Sequence, residues 1–172
     1  MRATQHRNEI VKDIQFKPLA VEDLPQLAEW LRQPHIAKWW PSPGDEGAIA
    51  AKYIPRIRNE TPVSVFIVSA GGEPAGMIQA EQHEQTGISD GYGVDLFIGN
   101  PELTGQGLGP EIIEAFVTGY IFGRYAAARC TADPELANTR SVRAFEKAGF
   151  VRLGMFSEKG VAHVLLERCL VI

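Results

Sequence analysis

Residues 96–113 pass from an apolar strand, through Asn-Pro-Glu-Leu-Thr-Gly-Gln-Gly-Leu-Gly, into an amphipathic helix, and no other stretch restricts the chain as much. Gly105, Gly107 and Gly109 alternate with Gln106 and Leu108 at the helix entry. Without a Cβ, such positions let backbone N–H groups point outward and let a ligand approach the main chain. The positive end of the helix dipole adds to those donors, so the natural guest is a phosphate or pyrophosphate. The bland alternative is a tight strand-to-helix turn that holds nothing. A P-loop would need Lys followed by Ser or Thr after the last glycine, where Pro110 and Glu111 stand. A Rossmann fingerprint needs GxGxxG early in a βαβ unit, and Gly105-Gln106-Gly107-Leu108-Gly109-Pro110 comes after three other strands.

Hydrophobic periodicity organises the rest. Ile14–Pro18 reads as a first strand, and Leu24, Leu27, Ala28 and Leu31 recur at helical spacing with Pro34 just past the end. Pro25 fits because the first turn does not need its missing N–H. A loop over 41–47 precedes a helix marked by Ile49, Tyr53 and Ile57, which Pro55 should break or kink. Strands over 63–70 and 74–81 form a hairpin at Gly71-Gly72, a polar loop spans 82–92, and a strand covers 93–98. In the helix that follows the glycines, Ile112/Phe116/Tyr120 and Ile113/Val117/Ile121 make one broad apolar stripe. A strand over 126–132, a helix over 139–148 and a hairpin over 150–157 and 161–171 close the order. This β-α-α-β-β-β-α-β-α-β-β order predicts an α/β (α+β) domain, a mixed sheet of about seven strands with about four helices on its two faces. Residues 1–12 are polar and aperiodic, a loose tail ahead of a single domain over 13–172.

Composition narrows the function class. Formal net charge is −4 with no Lys/Arg cluster, which argues against a nucleic-acid partner and suits a cationic small molecule. No stretch approaches the ~20 apolar residues of a membrane span, and the polar first residues carry no apolar leader segment, so a cytoplasmic protein is expected. Cys130 and Cys169 lie in apolar runs and are expected to be buried free thiols. No metal-ligand pattern stands out.

Two stretches in register carry a resemblance. Thr104-Gly105-Gln106-Gly107-Leu108-Gly109 matches the pyrophosphate loop of the GNAT superfamily of acyl-CoA N-acyltransferases, Q/R-x-x-G-x-G/A, except that Thr104 replaces Gln or Arg. Downstream, Asn138 to Phe150 (NTRSVRAFEKAGF) resembles that superfamily's N-x-x-(A/S)-x-x-x-Y-x-K-x-G-F. Further likeness lies in His35-Ile36-Ala37-Lys38-Trp39-Trp40, Tyr53-Ile54-Pro55, Gly93-Val94-Asp95, Asn100 and Asp133-Pro134, which are similar to the aminoglycoside 6′-N-acetyltransferases at matching spacing. The resemblance covers nearly all of the chain from Phe16 onward, with the 81–93 segment shortened.

The resemblance implies a GNAT-type sheet whose fourth and fifth strands splay apart, with acetyl-CoA as co-substrate inserted like an extra strand. It implies that the backbone of Phe97 and Ile98 pairs with the pantetheine arm. It also implies that Thr104, Gly105, Gln106, Gly107, Leu108, Gly109, Asn138 and Phe145 surround the coenzyme. For the amine, the matching positions are Trp39, Trp40, Tyr53, Asp95 and Asp133, with Asp95 contacting the reactive 6′-amine.

Elementary chemistry supports several of these assignments and leaves alternatives. A carboxylate in an apolar central strand is costly unless paired or in use, so Asp95 is either in a structural salt bridge or at the reaction. An ordinary aspartate near ~3.9 is a weak base for an ammonium, so Asp95 acts as a base only if burial or a water relay helps; otherwise it attracts and orients the cation. Asp133 faces the same cleft or caps the following helix. Of Trp39 and Trp40, one is expected in the core and one against the amino sugar; Tyr53 either touches substrate or packs. Arg140, Arg143 and Lys147 share a helical face that is solvated or meets a coenzyme phosphate. Phe145 stands where many members of the superfamily carry a tyrosine that protonates the thiolate, and His35 and His163 read as structural, while His83 finds no place.

The resulting expectation is acetyl transfer from acetyl-CoA to an aminoglycoside 6′-amine by direct attack in a ternary complex, by a monomer or homodimer. The rivals are N-acylation of a siderophore precursor or polyamine, and a non-catalytic acyl-CoA sensor.

Overall fold

Strand β1 (Ile14–Pro18) pairs antiparallel with β2 (Val63–Ala70), Ile14 opposite Ala70 and Pro18 opposite Phe66. β3 (Glu73–Gln82), β4 (Gly91–Ile98), β5 (Arg129–Ala132), β6 (Val151–Glu158) and β7 (Val161–Cys169) complete a seven-stranded sheet in the order β1-β2-β3-β4-β5-β7-β6. β4 runs parallel to β5, while β5–β7 and β6–β7 are antiparallel, so the mixed sheet expected from the element order is present. The computed structural model describes residues 13–41, 43–83 and 91–171. The expected tail over 1–12 and most of the 82–92 loop fall outside the described residues.

By its contacts the chain divides into two units, Met1–Gln79 with Leu96–Thr104, and Ala80–Asp95 with Gly105–Ile172. In the first, α1 (Leu24–Leu31) buries Leu27, Ala28, Trp30 and Leu31, with Pro25 in its first turn as expected. Pro34 lies just past the end of that helix, as expected. It opens a short additional one, α2 (Pro34–Ala37), because proline suits an initial helical position and Gln33 is extended before it. This makes five α-helices among the described residues, against the expected number of about four. α3 (Glu46–Ile57) starts at Asp45, whose carboxylate accepts the Ala48 N–H at 2.9 Å. α3 continues through Pro55 to Ile57, because Pro55 falls in the last turn, where only one helical bond is lost. Leu27, Leu31, Ile49, Tyr53 and Met77 form the centre of this unit's core. Two glycines are required by crowding: a Cβ on Gly76 would stand 2.1 Å from the Phe97 carbonyl oxygen, and one on Gly99 2.4 Å from the Trp30 indole.

In the second unit, α4 (Leu108–Phe116) carries the expected stripe, with Ile112, Ile113, Phe116, Val117 and Ile121 all buried. Past Phe116 the helix widens into a π-helix over Val117–Arg124. β5 starts at Arg129, three residues later than the periodicity predicts, because Ala126 takes a left-handed conformation (φ 51°) that ends the preceding turn. α5 (Thr139–Lys147) packs beside α4, and Arg168 on β7 clamps both. Its guanidinium donates to both carboxylate oxygens of Glu114 and, at 3.0 Å, to the Ala148 carbonyl at the end of α5. A bidentate pair of this kind fixes orientation as well as position. No helix among the described residues is long and apolar enough to cross a membrane.

Both cysteines are free, and Cys130 is buried as expected, whereas Cys169 is exposed. The difference is one of strand parity: on β7 the buried residues are Val164 and Leu166, and Cys169 falls in the opposite register with Glu167. Burial pushes the Cys130 thiol up to about 12, against the lowering influence of the nearby Arg168. A thiolate-specific reagent such as DTNB at pH 8 should therefore titrate one thiol in the native protein, and Cys169→Ser should remove that signal. Both thiols should react in guanidinium. Rapid reaction of two thiols in the native state would show that the Cys130 environment is open.

Candidate active site

The turn into α4 is shaped by backbone conformation. Gly105 (φ 75°) and Gly107 (φ 86°) are both left-handed, and a Cβ at either would meet nothing within 4 Å. Glycine is thus needed there for its torsion angles, and the space outside the turn is open. Gly105, Gln106 and Gly107 are exposed, while Leu108 is buried and anchors the first residue of α4. Gly109 only brushes Ala144 on α5, its virtual Cβ 3.6 Å from that methyl. Upstream, Asn100 accepts the Glu102 N–H at 2.9 Å, and the Thr104 hydroxyl donates to the Pro101 carbonyl at 2.7 Å. Thr104, the departure from the motif, is therefore used to close the preceding turn. Pro110 has no N–H and the Glu111 N–H turns back to the Gly107 carbonyl as the first helical bond, so the first-turn amides outside the helical ladder belong to Gly107, Leu108 and Gly109.

Strand β4 carries two faces. Tyr92 stacks on Tyr125, ring centroids 4.9 Å apart, and Val94 is buried, so Gly91, Gly93 and Asp95 share the other side. Burial raises the Tyr92 phenol above its ordinary value, helped by Tyr125. The parallel ladder with β5 covers only Gly91↔Arg129, Tyr92↔Cys130 and Gly93↔Thr131. Asp95 is exposed, which fits attracting and orienting a cation better than service as a desolvated base. Asp133, just past β5, is also exposed, and its backbone carbonyl accepts from His163 Nδ1 at 2.8 Å. Asp133 is not the cap of α5; Asn138 is, accepting the Ser141 N–H at 3.2 Å. The exposed Arg140, Arg143 and Lys147 line the outer side of α5, and Phe145 is buried edge-to-face against Phe150.

In the other unit the aromatic residues converge. Trp30 and Trp40 both meet the Phe97 ring edge-on, at 6.2 and 5.2 Å. Trp40 packs on the core, while Trp39 lies under the Lys38 ammonium, 4.5 Å from the ring centroid. The core half of the expected division of the tryptophan pair falls to Trp40. Tyr53 is wholly buried, and its hydroxyl has no hydrogen-bond partner among the described residues. Burial raises its pKa; the Trp40 side chain and Arg56 act in the opposite direction, Trp40 from outside hydrogen-bond geometry. His35 Nε2 donates to the Ile98 carbonyl at 2.9 Å, which fixes the end of β4 and bears out the structural reading of this histidine. One residue that sequence reasoning could not place, His83, turns out to lie beside Gly93, where only glycine leaves room for its ring.

Comparison with known proteins places this arrangement. The acetyltransferase (GNAT) domain family matches residues 20–157. The aminoglycoside N(6′)-acetyltransferase type 1 of Klebsiella pneumoniae is 30% identical over 157 residues, covering 82% of this chain and 75% of that protein, and that of Serratia marcescens matches equally. Among solved structures, aminoglycoside acetyltransferase AAC(6′)-Ib bound to paromomycin and acetyl-CoA superposes with a TM-score of 0.84 at 26% identity, over 92% of this chain and 94% of that one. The same enzyme with coenzyme A and kanamycin gives 0.83 at 27% identity, over 91% and 95%. With its motifs, its parallel β4 and β5 and this extent of likeness, the chain belongs to the GNAT acetyltransferase family.

Proposed function

We propose that this protein transfers the acetyl group of acetyl-CoA to the 6′-amine of an aminoglycoside. The observation that carries the reading is the open turn at the head of α4, where Gly105 and Gly107 adopt left-handed angles and leave the first-turn amides accessible. Those donors and the helix dipole suit a pyrophosphate. The exposed carboxylates Asp95 and Asp133 suit a polyamine, each giving a charge-assisted hydrogen bond to an ammonium. Support for the drug as the amine comes from relatives that are aminoglycoside N(6′)-acetyltransferases.

In this reading Gly105, Gln106, Gly107, Leu108 and Gly109 hold the pyrophosphate, with Thr104, Asn138 and Phe145 around it. The main chain of Phe97 and Ile98 aligns the pantetheine arm, and an exposed N–H there stabilises the oxyanion. Asp95 holds the reacting nitrogen, Asp133 a second ammonium, and Trp39 contributes contact to the sugar, while Trp40 packs on the core that contains the wholly buried Tyr53. Acetyl-CoA supplies the activated acyl group; this chain supplies position and charge.

Release of the coenzyme thiol, followed with acetyl-CoA and kanamycin, tobramycin or spermidine, tests the reading. Turnover with the two drugs and little with spermidine is expected. Preference for spermidine would make the protein a polyamine acetyltransferase, and acetyl-CoA binding without turnover would make it a sensor. Asp95→Ala should lower kcat/KM for kanamycin by about 100-fold, the scale of a lost charge-assisted contact at a reacting centre, and leave the acetyl-CoA dissociation constant nearly unchanged. Gly107→Val should do the reverse: a β-branched side chain at φ 86° distorts the turn, so acetyl-CoA affinity should fall at least ~10-fold. Intact coenzyme affinity in Gly107→Val would remove the turn from the site.

A further inference from the structure

One face of β4 and β5 holds a histidine in an unusual position. His83 follows the last residue of β3, and its backbone N–H donates to the Gly91 carbonyl at 3.1 Å. Its Nε2 lies 2.8 Å from the Thr131 hydroxyl oxygen. The ring covers Gly93: a Cβ there would come within 2.9 Å of both Cε1 and Nε2. Any other residue at 93 would displace the imidazole. Thr131 is the register partner of Gly93 and the last rung of the parallel ladder. Asp95 is the next residue of β4 on the same face, roughly 6.6 Å along a strand from Gly93 at ~3.3 Å per residue. An amine held by Asp95 is therefore within reach of the Thr131–His83 pair.

We propose, on the basis of the acetyl-transfer reading above, that His83 and Thr131 accept the proton that the substrate ammonium must lose. Thr131 donates its hydroxyl proton to His83 Nε2 and takes one from the ammonium through its oxygen. This leaves a neutral amine, an intact Thr131 and an imidazolium. The nitrogen lone pair then attacks the thioester carbonyl, a C–N bond forms and the C–S bond breaks. The second proton on nitrogen goes to the departing thiolate, giving the free thiol, and the exposed His83 returns its proton to water. The pairing uses the ordinary chemistry of imidazole, the side chain suited to proton traffic near neutral pH. Among the described residues, the charged and titratable groups on this face include Glu81 on β3, Asp95 on β4, Arg129 on β5 paired with Glu167 on β7, His163 and Cys169 on β7, and Asp133 beyond β5.

Two measurements test this. Ring signals of ¹⁵N-histidine-labelled protein should show the His83 titration shifting when kanamycin is added. Steady-state kinetics across pH 6–9 should show a kcat/KM limb in the wild type that follows the same titration. His83→Gln should lose that limb and fall by about 100-fold at pH 7, the scale of general base catalysis, with KM for acetyl-CoA unchanged. Thr131→Val should fall similarly, and Thr131→Ser, which keeps the hydroxyl, should restore the rate. Wild-type turnover of kanamycin combined with an unaltered His83→Gln rate and profile overturns the role of His83 alone. Absence of turnover in the wild type, with no response of the His83 ring to kanamycin, overturns the parent reading together with this one.

Discussion

The parallel ladder between β4 and β5 ends at Gly93↔Thr131, although β4 itself continues to Ile98. Most of what is distinctive here depends on that early termination. A strand that outruns its partner carries main-chain N–H and C=O groups that still need partners. The chain meets part of this demand internally, since the Ile98 carbonyl accepts from His35 and the Gly99 N–H donates to Ala75. In the proposed reaction an extended pantetheine arm meets another part, and the position of the last rung decides where its thioester can lie. β5 is short because the left-handed Ala126 delays its start, and Pro134 follows its end closely.

Backbone and side chains divide the chemistry. In the proposed reaction, recognition of a pyrophosphate by main-chain amides depends on φ and ψ, which the left-handed glycines at 105 and 107 supply. Recognition of a polycation depends on carboxylates placed on an accessible face, and period-2 alternation supplies that placement for Asp95 opposite buried Val94. The aromatic set around Phe97 is rigid, with Trp30 and Trp40 both edge-on to one ring. Each class of ligand contact is therefore built from a different kind of local order, and substitutions at one are expected to leave the other in place.

What could be read from the amino-acid order follows the range of the interactions involved. The strand–glycine–helix segment and the stripe on α4 were legible because residues within two turns of one another decide them. The expected splay of the sheet and the roles proposed for Asp95 and Asp133 rest on resemblance to a family, since no local pattern marks them. The departures have identifiable causes. Pro34 starts a helix because Gln33 before it is extended, and Cys169 is exposed because parity on β7 opposes it to Leu166. The π-helical widening after Phe116 has no signature in periodicity. His83 was unreadable for a different reason: its position is defined by Gly93 and Thr131, and the second lies 48 residues away in the chain. Its only trace in the sequence is a glycine in a strand, a common sign of close approach by another group.

Phe145 bears on the proton inventory of the reaction. Buried edge-to-face against Phe150, it offers no proton to a departing thiolate. Transfer from an ammonium to an amide removes two protons from nitrogen and returns one to sulfur, so the net reaction releases one proton. After attack the nitrogen is itself cationic and more acidic than an ordinary thiol near ~8.5. The thiolate can therefore take its proton from the adduct, and a dedicated acid is dispensable. The first proton has no such internal destination, because the amine cannot attack while it carries it. An enzyme built this way can lose its acid more safely than its base, and the sequence follows that asymmetry, with phenylalanine where an acid would stand and an imidazole beside the acidic face.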